Sequence, residues 1–393
     1  MSRMWVGKGF MLLAGAVSIF AFQGRRSQAK DWPFDPKPSV CVHKETRRPI
    51  DLVICLDTSG SMTGLIDSAR GRLWDIVSSL SKAKPTPRLR VGLLTYGSPR
   101  TSTAGRGWVA RQSDLTSDLD AVYARMMALT TDGGDEFVGW VVNDAVRSMD
   151  WSDDPAALKI IFVAGNESAD QASEVFNFRS VAETARGRGI VVNSIYAGDR
   201  MQGIRELWHE VASYGGGDYS AIDMQCGTVQ ISTQQDKVLI ELNMKLNSTY
   251  VPYGTGGRVG AMNQVQQDGA AKRMGQHTEA ARVAAKATPM YDAANWDLVD
   301  AVAQKKVRME DVKESELPAP MQSMSVEERK DFVMQQHQSR SKVQAEIAQV
   351  SVEREDIIQK AKAEQQQGGK TSLDDAMQKS MRKQAEAKGF QFE

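Results

Sequence analysis

Cysteine and histidine are scarce in this chain, with three of the one and four of the other among 393 residues. No Cys-x-x-Cys pair occurs, and His43, His209, His277 and His337 never stand at metal-ligand spacing, which argues against a structural zinc site. An excess of one charge is missing too. Lys and Arg number 49 and Asp and Glu number 49, and no basic stretch carries interleaved aromatics, so no field is present to hold nucleic acid. Long apolar runs are absent from the body, which excludes a many-pass membrane protein. What remains is ordinary: 41% hydrophobic and 25% charged residues fit a folded chain of two domains, or of one domain with long appendages.

The N-terminus is the first segment with a pattern of its own. Arg3 and Lys8 precede an uncharged run from Phe10 to Phe22, and Ser27-Gln28-Ala29 supplies a small-x-small cleavage site, the order of a secretory signal over residues 1–29. Arg25 and Arg26 interrupt the approach to that site, so an uncleaved membrane anchor is the alternative. Either way the body is expected to be exported, to the periplasm, the cell surface or the medium. Cleavage removes four basic residues and no acidic one, leaving a net charge of −4. Export places Cys41, Cys55 and Cys226 in an oxidising compartment. Cys55 lies in an apolar strand and is expected to stay free, and three cysteines by themselves fix no pairing.

After a lead-in over 30–47, apolar strands alternate with amphipathic helices, the signature of a doubly wound α/β sheet with mostly parallel strands. Strands are expected at Ile50 to Leu56, Leu89 to Tyr96, Trp108 to Leu115, Leu158 to Ala164, Ile190 to Tyr196 and Asp218 to Ile222. Helical periodicity marks Thr63 to Leu80, Ser117 to Leu129, Phe137 to Met149, Ala172 to Arg186 and Ile204 to Ser213. A further helix, Asp236 to Leu246, has an apolar face that could return to the sheet. This domain is expected to span 48–253. Tyr253-Gly254-Thr255-Gly256-Gly257 then breaks the pattern, and 254–324 reads as an Ala/Gln-rich linker with helical segments. From Ser325, whose capping box with Glu328 starts a helix, Val333, Val343, Ile347, Val350 and Ile357 form one seam of a helical C-terminal region, 325–393. Gln336, Arg340 and Arg354 interrupt the seam, so a packed hairpin and a self-associating coiled coil both suit it.

The segment richest in chemistry is Asp51-Leu52-Val53-Ile54-Cys55-Leu56-Asp57-Thr58-Ser59-Gly60-Ser61-Met62, an apolar strand ending in Asp-x-Ser-x-Ser. In an open α/β sheet ligands gather at the C-terminal strand edge, and a carboxylate with two hydroxyls there supplies hard oxygens for Mg²⁺. This segment resembles the metal-ion-dependent adhesion site of the von Willebrand factor type A (vWA) family. Arg90-Val91-Gly92-Leu93, Asp114-Leu115-Thr116 and Gly133-Gly134-Asp135-Glu136 extend the likeness to an exported bacterial branch over Ile50 to Ile222. The resemblance implies that Asp57, Ser59 and Ser61 hold a cation, Mg²⁺ or Mn²⁺, directly or through water. It places Asp135 where the family usually has a threonine ligand. The family's last carboxylate position falls in Val163-Ala164-Gly165-Asn166-Glu167, where Gly165 offers no side chain and Asn166 or Glu167 would have to substitute. Weak, altered ion binding follows. Because related domains bring the two ends of the sheet together, the resemblance also implies a Cys41–Cys226 bridge.

The function so implied is a non-enzymatic binding module for a protein or cell-surface ligand. A scaffold that has lost its ion and works through its C-terminal helices is the alternative. An enzyme fits less well: Asp57-Thr58-Ser59-Gly60 has an extra residue against the Asp-Thr-Gly of aspartic peptidases, and Met62 stands where a Gly-x-Ser-x-Gly motif needs its serine.

Overall fold

A computed structural model describes residues 47–172, 174–222, 231–365 and 373–392. The expected export segment, nearly all of the lead-in, and both Cys41 and Cys226 lie outside the described residues. All described residues belong to one unit, Cys41–Glu393. Its elements begin with β1 (Pro49–Asp57), α1 (Thr63–Ser81), β2 (Ala83–Lys84), β3 (Arg88–Tyr96), β4 (Ala110–Thr116), α2 (Leu119–Met127) and α3 (Val138–Ser148). The sheet continues through β5 (Leu158–Gly165), α4 (Phe178–Gly187), β6 (Ile190–Ala197), α5 (Arg200–Arg205), α6 (Trp208–Gly215) and β7 (Gly216–Ile222). Then follow α7 (Gln234–Asn247), α8 (Gly257–Met274), α9 (Gln276–Lys286), α10 (Leu298–Ala303), α11 (Ala319–Gln322), α12 (Val326–Gln365), α13 (Leu373–Ala387) and β8 (Gln391–Phe392).

Among the described residues six strands form one sheet in the order β4-β3-β1-β5-β6-β7, parallel except for β4, which runs antiparallel to β3 at the edge. The expected doubly wound, mostly parallel α/β class is what the chain adopts. β1 is buried along its whole length because its alternate residues feed two cores. Ile50, Leu52, Ile54 and Leu56 face α1 and α2, whereas Val53 and Cys55 face α3, α4 and α6. Cys55 is a free thiol, and burial pushes its pKa far above the usual range, leaving it unreactive.

Two expected helices come out differently. α4 starts only at Phe178, where the Asn177 side chain accepts from the amides of Arg179 and Ser180. The helix expected from Ile204 to Ser213 is broken at Leu207, whose φ of 67° ends α5 and opens α6.

The larger difference lies in the C-terminal half. α7 does not return to the sheet. Its Leu239, Leu242 and Leu246 form a separate cluster with Val283 of α9 and with Val343 and Ile347 of α12. The place on the sheet is taken by α13, whose Ala376, Met377, Met381 and Ala385 share the core of β1 and α1. The segment 254–324 contains α8 and α9, and Ala281 and Ala285 of α9 belong to that same core. β8 pairs with β2, and the Arg48 guanidinium donates to the Lys388 carbonyl, so the chain's end is bound beside the start of the sheet.

The seam of α12 keeps Val333, Val343 and Ile347 buried, but Ile357 is exposed and Ile358 takes the inward position. The arginines that interrupt it are buried ion-pair partners. Arg340 donates to Asp297 at 2.6 Å and to the Thr249 carbonyl at 2.7 Å, and Arg354 Nε donates to Asp236 at 2.6 Å.

Candidate functional site

β1, β3 and β5 end together: Asp57 is level with Tyr96, and Leu56 with Ala164. At this C-terminal edge Thr58 anchors the turn, its amide and its hydroxyl both donating to the Tyr96 carbonyl at 2.8 and 2.9 Å. Asp57 Oδ1 accepts the Ser59 amide at 2.7 Å. A short 3₁₀ turn, Gly60–Met62, then carries the chain into α1. The turn sets the Ser59 and Ser61 hydroxyls 3.2 Å apart. The Asn166 amide, from the loop after β5, donates to Ser61 Oγ at 3.1 Å. Asp57, Ser59, Ser61 and Asn166 are therefore brought together.

Glu167 and Asp135 are not. The Glu167 carboxylate accepts from the Gln171 amide at 2.6 Å. Asp135 is exposed, with the Trp108 indole N–H donating to its Oδ2 at 3.4 Å. The inward position belongs to its neighbour Glu136, which is 2% exposed. Glu136 and Asp57 pack over the bare Cα of Gly97, at φ 79°. A Cβ there would come within 2.7 Å of Asp57 Oδ1 and 3.3 Å of Glu136 Cγ. Gln171 holds the Glu136 amide through its own side-chain oxygen at 3.1 Å.

Two buried carboxylates in contact are an unusual arrangement. Burial, reinforced by the neighbouring Glu136 carboxyl, pushes the Asp57 carboxyl well above its ordinary range. Asp57 Oδ2 and Glu136 Oε2 are both buried and have no hydrogen-bond donor. As carboxylates they only accept, so the pair needs a proton or a cation between them. With the two serine hydroxyls they offer hard oxygen donors suited to Mg²⁺ or Mn²⁺, and the residues present fit such an ion. Among the described residues no group of three or more His, Cys, Asp or Glu side chains forms a metal site, so an ion here would depend on the hydroxyls as well.

Gly165 closes off the remaining position. A Cβ there would lie 2.5 Å from Tyr96 Oη and 3.1 Å from the Trp208 ring, and Tyr96 Oη donates to the Ala164 carbonyl at 2.9 Å. Two aromatic side chains occupy the space a fifth ligand would need. Sequence reasoning missed Glu136 because two adjacent carboxylates give no sign of which one turns inward. The signal available was Val138, two residues on, which begins the buried face of α3.

The strand order, the antiparallel edge strand and the Asp57-Thr58-Ser59-Gly60-Ser61 turn at the end of the central first strand are vWA-like. No family model and no curated protein matches the sequence. Among solved structures, proximal thread matrix protein 1 of the mussel byssus, with a zinc-occupied MIDAS motif, is 13% identical at a TM-score of 0.36, over 46% of this chain and 43% of that one. The SpRpn10 VWA domain is 14% identical at 0.35, over 44% and 88%. The pilus adhesin SpaC of Lactobacillus rhamnosus GG, in its open conformation, is 14% identical at 0.34, over 45% and 28%. The chain thus spans less than half the length of the byssus protein. At these values the likeness adds nothing to the strand order and register described above.

Proposed function

We propose that this chain is an exported, non-enzymatic binding module that recognises a protein or cell-surface ligand through a weakly held divalent cation, Mg²⁺ or Mn²⁺. The observation that supports it is the pair of buried, donorless oxygens Asp57 Oδ2 and Glu136 Oε2 beside two serine hydroxyls. Asp57, Ser59 and Ser61 would hold the ion, with Glu136 as the second carboxylate in the role first expected of Asp135. Asn166 would orient the Ser61 hydroxyl. When bound, the ion would supply a Lewis-acidic point at the sheet edge for an oxygen ligand. Export rests on the pattern of residues 1–29.

A second reading has a specific observation in its favour. Tyr96 and Trp208 fill the place of a fifth ligand, so the Asp57–Glu136 pair could hold a proton instead and leave a scaffold without an ion. Titration calorimetry with Mn²⁺, together with affinity capture in Mg²⁺ and in chelator, separates the two. Ion uptake with chelator-sensitive capture supports the binding module, whereas no uptake and capture indifferent to chelator leaves the scaffold.

A further inference from the structure

The two edges of the sheet differ in charge. Asp57, Asp135, Glu136 and Glu167 stand at the C-terminal edge of the parallel strands, whereas basic side chains from distant parts of the sequence meet at the N-terminal edge. Pro49 is level with Arg88, whose amide donates to the Arg48 carbonyl at 3.0 Å, so Arg47 and Arg48 lie beside Arg88. The Arg48 guanidinium donates to the Lys388 carbonyl at 3.1 Å, and Lys388 Nζ reaches the Pro155 carbonyl, just ahead of β5, at 3.5 Å. Farther along, Lys159 of β5 is level with Ile190 of β6, and the Arg188 guanidinium donates to the Val146 carbonyl at 2.6 Å, joining the end of α4, with Arg186, to the end of α3, with Arg147. Arg48 and Lys159 are half-buried and the other six are exposed.

Among the described residues none of these eight forms an ion pair. Against them and Arg90 stand Asp51, Asp118, Asp150, Asp153 and Asp154, which leaves four cations in excess. Arg382 with Glu386 and Lys383 with Asp218 are matched pairs nearby and add nothing. A helix C-terminus accounts for Arg147, Arg186, Arg188 and Lys388. No helix end accounts for Arg47, Arg48, Arg88 and Lys159, which stand at the starts of strands.

We propose that this edge rests on an anionic phospholipid surface. Unpaired cations spread over one exposed edge complement a layer of phosphate headgroups, whose attraction extends over about one Debye length, about 8–10 Å. The chain also enters the fold here: 24 residues separate Phe22, the end of the apolar run, from Arg47, a reach of about 85 Å at full extension. A membrane engaged by that run therefore lies closest, along the chain, to this edge. β1 has nine residues, so the Asp57 edge would stand about 30 Å farther out, facing away from the lipid toward a ligand. That outward presentation rests on the proposed ion site, whereas the lipid contact does not.

The experiment is co-sedimentation with vesicles of phosphatidylglycerol and phosphatidylcholine in equal parts, and with vesicles of phosphatidylcholine alone. Both cores are built from residues after 46, so the chain from Lys30 onward is the test protein. Chelator is present throughout, so a failure here leaves the proposed ion site untouched. Binding to the anionic vesicles only, weakening as salt rises, is expected. Arg88→Gln, Lys159→Gln and Arg186→Gln together alter side chains that make no hydrogen bond among the described residues, and should fold and weaken binding at least tenfold. Arg100→Gln, Arg106→Gln and Arg200→Gln together, at the opposite edge, remove the same charge and should match the wild type. No binding to anionic vesicles, equal binding to neutral ones, or equal losses in the two triple variants overturns the proposal. A DNA duplex bound more tightly than the vesicles at equal phosphate concentration assigns the edge to nucleic acid and overturns it too.

Discussion

Asp57 and Glu136 face each other across the bare Cα of Gly97, each with one buried carboxylate oxygen that no donor reaches. The arrangement is costly unless something positive lies between them, since an unsatisfied buried polar group costs about 1–3 kcal/mol. Replacing Glu136 by glutamine puts an amide donor opposite Asp57. Glu136→Gln is therefore expected to raise the cation-free melting temperature and weaken Mn²⁺ binding at least tenfold, while Asp135→Asn changes neither. Calorimetry and thermal melts in chelator read both effects, and a larger loss of binding in the Asp135 variant would return the ligand role to that residue.

Gly165 looks from sequence like a missing ligand that could be put back. In the structure it is a close approach. Gly165→Asp is expected to destabilise by about 1–3 kcal/mol, the cost of overpacking, and to give no gain in ion affinity, because Tyr96 and Trp208 already fill the space. Gly165→Ala should cost much of the same. Urea unfolding of both variants measures it, and a stable Gly165→Asp protein with tighter Mn²⁺ binding defeats the expectation.

The legible part of the fold is the part dictated by local pattern. β1, β3, β5 and β6 are apolar because helices cover both faces, and the Asp-x-Ser-x-Ser turn sits at the edge where an open α/β sheet places its ligands. Periodicity reports that a helix face is buried but not against what, so the apolar face of α7 suited a return to the sheet although α13 took that place. Arg340 and Arg354 looked like breaks in an apolar seam because their partners, Asp297 and Asp236, are 43 and 118 residues away. The orientation of Glu136 depends on Gly97, a distant residue that no spacing rule connects to it.

Met381 of α13 is 1% exposed in the main core, whereas Ile347 of α12 is fully buried in the outer cluster. Met381→Asp is expected to cost about 3–5 kcal/mol, from lost apolar burial and a stranded charge, and to loosen the sheet itself. Ile347→Asp should instead release α12 from α7 and α9 first. Hydrogen exchange distinguishes them: lost protection in β5 and β6 for the first variant, and in α7 and α12 for the second. Identical exchange patterns would show that the two clusters unfold as one.

The dependence of stability on pH follows from carboxyls displaced in opposite directions. Burial raises the Asp300 carboxyl to about 6, with the Arg340 charge only partly opposing it. Burial also acts against the Asp268 and Asp75 carboxylates, but Lys286 and Arg282 hold the first below its ordinary range, and His277 with Arg72 does the same for the second. For Asp300 the folded state binds its proton more tightly than an unfolded chain with a carboxyl near about 4, so stability is full below that value and is lost as pH rises through about 6. For Asp268 and Asp75 the unfolded chain takes up the proton first, so their contribution is full above about 4 and is lost as pH falls through the lower folded values. Stability is expected to peak between about pH 4 and 6, with a decline of up to about 3 kcal/mol on the alkaline side attributable to Asp300. Asp300→Asn should reduce that alkaline decline without abolishing it, because the Asp57 carboxyl, raised by burial and by Glu136, adds a loss of the same sign, and it should leave the acid limb unchanged, while Asp268→Asn should soften the acid limb. Urea unfolding from pH 3 to 8, in chelator so that no cation competes, measures all three proteins. A wild-type stability that climbs steadily to pH 8 would show that Arg340 outweighs burial at Asp300.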